Sequence, residues 1–202
     1  MADVYIISAA SGAGKTSLVK ALLGSVTDLA VSVSHTTRPP RPGEVDGQHY
    51  HYVTEVAFQD LLKAGAFLEQ ARVFGNWYGT SRQAVQDRLD ANRDVVLEID
   101  WQGAYQVRAA FPNAVTIFIL PPSREALEQR LRGRGQDSDS VIANRMTQAQ
   151  AEMTHWDSFD YTVINDDFAT ALEDIKAIIR CHRLQRTRQI QGLMPLLTRL
   201  LA

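Results

Sequence analysis

A short apolar run, Val4 to Ile7, leads into Ser8-Ala9-Ala10-Ser11-Gly12-Ala13-Gly14-Lys15-Thr16, and Leu18, Val19, Ala21, Leu22 and Leu23 follow. Strand pattern, glycine-containing turn and amphipathic helix pattern in that order constrain the fold of the chain more than any other stretch. Two glycines, a lysine and a hydroxyl residue at this junction suit a phosphate cradle. Backbone N–H groups of the turn and of the helix N-terminus can wrap phosphate oxygens, Lys15 can bridge the β and γ oxygens, and Thr16 can ligate Mg²⁺. The P-loop pattern G-x-x-x-x-G-K-[ST] has glycine where this chain has Ala9. That position ends the strand and requires only a backbone angle open to alanine, since the special freedom of glycine matters where φ is positive. The expected nucleotide-binding set is Ser11, Gly12, Ala13, Gly14, Lys15, Thr16 and Ser17.

Further strand patterns at residues 31–34, 94–100, 115–120 and 161–164 are nearly all apolar and β-branched, as strands covered on both faces are. Helix patterns follow most of them. The alternation predicts an α/β fold: a P-loop NTPase-type parallel sheet flanked by helices. A chain of 202 residues has room for one domain with small inserted subdomains. Between Thr36 and Gly79 the texture changes, first to Arg38-Pro39-Pro40-Arg41-Pro42-Gly43 and then to short alternating pieces such as His49-Tyr50-His51-Tyr52-Val53. This stretch reads as an inserted β-rich subdomain over residues 35–80. Helices are expected over 56–64, over 82–91 with Ser81 as N-cap, and from a Ser123 cap to about residue 132. A polar break over 133–140 reads as a flap, here bounded as a helical lid of residues 131–145, ahead of a helix over 141–155. The remaining core comprises residues 1–34, 81–130 and 146–202, and helical spacing returns over 169–201.

Composition narrows the function classes. A formal net charge of −2 argues against a surface built to grip nucleic acid, so any anion site has to be a local cluster of Arg and Lys. Cys181 is the single cysteine, which excludes an intramolecular disulfide and a thiolate-only metal site and fits a reducing compartment. No run approaches the roughly 18 apolar residues of a membrane helix, and no basic, apolar leader precedes the first strand. A cytoplasmic protein without a membrane partner is expected.

Within the insert, Ser34, Arg38 and Arg41 lie with Tyr50 and Tyr78 in a segment stiffened by prolines. Two guanidiniums and two phenols suit a phosphate monoester, while Glu69 and Thr80 could face a base. Spacing alone leaves a solvated loop equally open for the arginines.

These residues resemble the guanylate kinase family. The resemblance is carried by Ser-His-Thr-Thr-Arg-x-x-Arg-x-Gly-Glu from Ser34 to Glu44, by Gly-x-x-Tyr-Gly-Thr-Ser from Gly75 to Ser81, and by Asp100-Trp101-Gln102-Gly103. It continues through Ile119-Leu120-Pro121-Pro122-Ser123, Arg132-Gly133-Arg134-Gly135 and Val163-Ile164-Asn165-Asp166-Asp167. It covers nearly the whole chain and is most similar to bacterial members, which also accept alanine at the first P-loop glycine. It implies transfer of the γ-phosphoryl group of ATP to GMP, and to dGMP, with Mg²⁺ as cofactor. By the same resemblance Arg38, Arg41, Tyr50 and Tyr78 hold the GMP phosphate, and Ser34, Glu69 and Thr80 contact guanine. Asp100 serves the metal site with Thr16 and also the acceptor nucleoside, with Glu98 two residues earlier behind it. Lys15, Arg130, Arg134 and Arg145 reach the transferring phosphate, and Asn165 and Asp167 border the adenine of ATP. The expected partners are these nucleotides; a homo-oligomer stays open.

The chemistry of guanine agrees. It presents donors at N1 and N2 that a carboxylate accepts as a fork, whereas adenine would oppose Glu69 with a lone pair at N1. Two rivals are a kinase-like binding module that has lost the reaction and a kinase for a phosphorylated sugar. The intact cradle weighs against the first, and Glu69 with Thr80 against the second. Other features have plain readings: His49 and His51 as half-exposed residues of one strand face, Arg124 and Arg132 facing water, residues 180–188 as a solvated helix face, and Trp77, Trp101 and Trp156 as packing residues.

Overall fold

The strand that enters the cradle is the middle strand of the main sheet. The structure is a computed structural model that describes residues 2–73, 75–133 and 138–202. In chain order its elements are β1 (Val4–Ala9), α1 (Lys15–Ser25), β2 (Leu29–Val31), β3 (His35–Thr36), β4 (His51–Tyr52), α2 (Glu55–Lys63), β5 (Phe67–Val73), β6 (Asn76–Ser81) and α3 (Arg82–Asp90). There follow β7 (Asp94–Glu98), α4 (Trp101–Ala110), β8 (Val115–Leu120), α5 (Arg124–Arg132), α6 (Asp139–Met153), β9 (Tyr161–Ile164), α7 (Phe168–Arg183) and α8 (Arg186–Leu200). The main sheet has the order β2-β7-β1-β8-β9 and is parallel throughout.

Successive side chains of β1 point to opposite faces, so its apolar run supplies two cores. Tyr5 and Ile7 pack with Val96, Ile117 and Ile119 beneath α1 and α7, against Leu18, Leu22, Ile175 and Ile179. Val4 and Ile6 pack on the other face with Val95, Leu97, Val85, Ala104 and Val107, under α3 and α4. Burying each Leu or Ile removes about 2 kcal/mol of apolar exposure, and coverage on both faces explains the near-continuous hydrophobic runs. A smaller cluster of Ala10, Leu127, Leu131, Ile142 and Ala149 fastens α5 and α6 to the cradle.

The insert forms its own sheet, β4-β3-β6-β5. Phe58 of α2 stacks between Phe67 and Trp77, which gives this subdomain an aromatic core. Its β5 is tied to α4 by a reciprocal amide pair. Gln106 Nε2 donates to the Gln70 carbonyl at 2.7 Å, and the Gln70 N–H donates to Gln106 Oε1 at 3.1 Å.

Several expected boundaries shift. The second strand lies at Leu29–Val31 rather than 31–34, because the chain leaves the main sheet after the Ser32 N–H has bonded to Val96 and passes Ser34 to the insert, where its carbonyl accepts from the His51 N–H. The strand expected over 94–100 stops at Glu98, since Asp100 is the N-cap of α4. Ser138 caps α6, which starts at Asp139 rather than 141. The final helical stretch divides at Leu184 and Gln185 into α7 and α8. His49 lies outside β4 and is exposed, its Nδ1 accepting the Val45 N–H. Trp156 is 49% exposed rather than packed.

Candidate active site

Gly12 and Gly14 adopt φ of +91° and +97°, so both glycines of the cradle stand where L side chains rarely go. Gly14 is the N-cap of α1 and carries no side-chain cap, whereas Thr54, Ser81, Asp100, Ser123, Ser138 and Asp167 cap α2 to α7 with their side chains. The N–H groups at the start of α1 therefore lack the side-chain acceptor that those helices have, as an anion site requires. A Cβ on Gly12 would lie 2.9 to 3.0 Å from Leu131 and Leu127, and one on Gly14 would collide with the Asn165 amide. Asn165, buried at the end of β9, donates through Nδ2 to the Ala13 carbonyl at 2.7 Å. Its side chain thus holds the cradle from below.

Lys15 Nζ donates to the Ile99 carbonyl at 3.1 Å, and the Thr16 hydroxyl donates to Glu98 Oε1 at 2.5 Å. Asp100 accepts the Gly103 N–H on Oδ1 and the Gln102 amide on Oδ2. Thr16, Glu98 and Asp100 offer hard oxygen donors, which suit Mg²⁺. Among the described residues no group of three or more His, Cys, Asp or Glu could hold a metal ion. Few protein ligands completed by phosphate and water is the usual pattern for Mg²⁺, so the residues fit that ion. Glu98 is more prominent than the sequence reading placed it, since it contacts Thr16 directly.

Sequence reasoning missed Glu152 altogether. From α6 it reaches the cradle, where its Oε2 accepts the Ser11 N–H at 2.8 Å. Burial pushes its carboxyl above the ordinary range, against the opposing pull of the Ser11 hydrogen bond and Lys15. Ser17 is exposed on the outer side of the first turn of α1.

The residues that the resemblance matches to the base converge. Glu69 is 3% exposed, and its Oε1 accepts the Thr80 hydroxyl at 2.6 Å; that hydroxyl lies 3.1 Å from the Ser34 hydroxyl. Burial pushes the Glu69 carboxyl up to about 7, with Thr80 opposing and Asp100 reinforcing the shift.

Arg38 sits over the rings of Tyr50 and Tyr52, with the edge of Tyr78 against Tyr50. Its Nη2 donates to both Glu44 oxygens at 2.9 and 3.0 Å. Although burial acts in the other direction, the bonds from Arg38, the Arg41 N–H and Tyr52 hold the Glu44 carboxyl at about 2. Burial and the Glu98 charge raise the Tyr50 hydroxyl. Glu44 ends the quoted motif, but its pairing with Arg38 was not evident from spacing. Arg41 is exposed, and its backbone N–H is the group that joins the cluster.

Arg130 donates through Nη2 to the Asn165 carbonyl at 2.8 Å, and its buried Nη1 has no acceptor among the described residues. Arg145 is partly buried on α6. Arg134 lies outside the described residues. Asp167 is exposed and caps α7, its Oδ1 accepting from the Thr170 N–H and hydroxyl. Arg124 and Arg132 are exposed as expected, with Arg132 paired to Glu128 and Asp139. Trp101 stacks on His155 at 3.6 Å between centroids, and Cys181 is an exposed free thiol on α7.

The family model described as guanylate kinase matches residues 1–182. The chain is 57% identical over 199 residues to a guanylate kinase of Nitrosococcus oceani, covering 98% of each. It is also 57% identical over 201 residues to the guanylate kinase of Escherichia coli K12, covering 98% of this chain and 97% of that one. A solved guanylate kinase from Anaplasma phagocytophilum superimposes with a TM-score of 0.77 at 32% identity, over 93% of this chain and 89% of the other.

Proposed function

Because this chain belongs to the guanylate kinase family, we propose a division of labour in its cleft for the family's reaction, the transfer of the γ-phosphoryl group of ATP to GMP to give ADP and GDP. The chain is an ATP:GMP phosphotransferase. The observation that supports this assignment of roles is the convergence of Glu69, Thr80 and Ser34, with the Glu69 carboxyl close enough to Asp100 and Lys15 to feel both charges.

The cradle residues from Ser11 to Ser17 hold the ATP phosphates on backbone N–H groups, and Lys15 swings from the Ile99 carbonyl to the β and γ oxygens. Thr16 and Asp100 would hold Mg²⁺, with Glu98 in contact with Thr16; when bound, the ion neutralises charge on the β- and γ-phosphates. Arg38, Arg41, Tyr50 and Tyr78 clamp the GMP phosphate, and Arg38 exchanges Glu44 for it in part. An oxygen of that phosphate attacks the γ-phosphorus as the bond to the β,γ-bridging oxygen breaks, so the chain's work is positioning and charge stabilisation. Arg130, Arg134 and Arg145 approach the moving group. The buried Arg130 Nη1 supports this, since a phosphate oxygen would satisfy it. Asn165 and Asp167 border the adenine, Asn165 being held in place by its amide on the Ala13 carbonyl, its N–H on the Leu120 carbonyl and its own carbonyl under Arg130.

We divide the chain into a core of residues 1–34, 81–130 and 146–202, an acceptor-binding subdomain of residues 35–80 and a lid of residues 131–145. The separate sheet β4-β3-β6-β5 supports the second unit. dGMP is a second acceptor, because base and phosphate are read and the 2′-hydroxyl lies outside both sets. A cytoplasmic setting fits the free thiol of Cys181. ADP release with ATP plus GMP, AMP, CMP or ribose bisphosphate tests the reading. GMP should dominate, and comparable turnover with the sugar phosphate would overturn the base assignment.

A further inference from the structure

Gly103 occupies the first turn of α4, is buried, and has an ordinary helical backbone with no positive φ. Glycine there costs about 1 kcal/mol relative to alanine, and no conformational need explains it. Its own N–H is engaged by Asp100 Oδ1. The explanation lies in the space beside it. An added Cβ would stand 2.6 Å from Glu69 Oε2 and 3.1 Å from Glu69 Cδ.

Neither partner is able to retreat without loss. The Gln106–Gln70 amide pair fixes α4 against β5, the strand that carries Glu69. Glu69 Oε1 is held by Thr80, which meets Ser34, and the side chain is buried. A methyl group on Gly103 would therefore have to turn or withdraw the carboxylate. We propose that Gly103 is a positioning residue for acceptor specificity: its missing side chain sets the rotamer in which Glu69 presents both oxygens to the guanine edge. This rests on the reading of Glu69 as the guanine acceptor, and it identifies a determinant on α4, outside the acceptor-binding insert.

The test is a cycle of Gly103→Ala, Glu69→Ala and the double variant, each assayed with GMP and AMP and by thermal unfolding. Gly103→Ala should raise KM for GMP and lower the GMP-to-AMP ratio of kcat/KM by about tenfold, since a base-reading group that is misplaced discriminates poorly. KM for ATP should stay within about twofold, which a general disturbance of the fold would not allow. In the Glu69→Ala background the same substitution should change each parameter by less than about twofold, because its target is gone. It should also leave the midpoint of unfolding unchanged or higher there, alanine being the better helix former. An unaltered GMP-to-AMP ratio in folded Gly103→Ala, or an equal loss in both backgrounds, would overturn the proposal. Should Gly103→Ala fail to fold, an equal loss of stability in both backgrounds would overturn it as well. Failure of the underlying reading looks different: Glu69→Ala alone would keep the wild-type ratio, while the unfolding cycle would still report whether Gly103 acts on Glu69.

Discussion

The Glu152 carboxylate accepts the Ser11 N–H at 2.8 Å across 141 residues of sequence, so an anion of the protein's own stands on the loop proposed to bind phosphate. A neighbouring triphosphate meets that charge. Glu152→Gln keeps an acceptor for Ser11 and removes the repulsion, worth about 1 kcal/mol for unit charges about 4 Å apart under water-like screening. MgATP should then bind about fivefold more tightly in calorimetric titration. Weaker binding would mean that the ionised carboxylate supports the loop instead.

Lys15→Met should leave GMP binding nearly intact while kcat falls by about two orders of magnitude, the loss of a positioned cation being worth about 3 kcal/mol. Steady-state kinetics beside a fluorescence titration with GMP would check it. Half of the wild-type kcat in the mutant would remove Lys15 from the transition state.

On the proposed role of Glu69, its raised carboxyl predicts that acceptor binding depends on pH. Its folded value, about 7, lies above its ordinary value, so the folded protein favours the protonated form. The stability this group contributes is full below the ordinary carboxylate range and is lost as pH rises through about 7. If Glu69 accepts the guanine donors as proposed, it does so in the ionised form, so KM for GMP should fall as pH climbs through the same window. Glu69→Gln keeps the titration of the GMP phosphate itself and should flatten only the part due to Glu69. An unchanged pH profile in that variant would show that Glu69 does not titrate in the range.

Arg38→Ala should chiefly raise KM for GMP, because the acceptor phosphate is charged in the ground state as well as in the transition state. Arg145→Ala should chiefly lower kcat if its contact is completed on the transferring group alone. Measuring both variants side by side separates clamp from lid. Finding Arg145→Ala to be a pure binding defect would refute the lid role.

The legible parts of the molecule were those whose cause is local. The cradle is a turn between neighbouring elements, Ser81 and Ser123 cap the helices that they precede, and the buried runs of the main sheet need no knowledge of their partners. What escaped was long-range or dual in nature. Glu152 acts on Ser11, and Glu98 meets Thr16 across 82 residues, through folding that no local pattern encodes. Ser32 to Ser34 read as the end of a strand pattern, yet they carry the chain from one sheet to the other. The motif matched Asn165 to the donor base and gave no sign of the long-range bond from its buried amide to Ala13.

The central place of β1 governs when the catalytic cleft first exists during synthesis. β1 leaves the ribosome long before β7 and β8, the strands that bond to it on either side. Until Val115–Leu120 has emerged, Tyr5, Ile6 and Ile7 have only one flank or none to join, and the nascent chain must keep this apolar segment from straying into other pairings. The pin on Ala13 arrives later still, with Asn165. A translating chain therefore carries the Gly12–Thr16 sequence well before the strands that flank β1 and the Asn165 amide that pins Ala13 have been made.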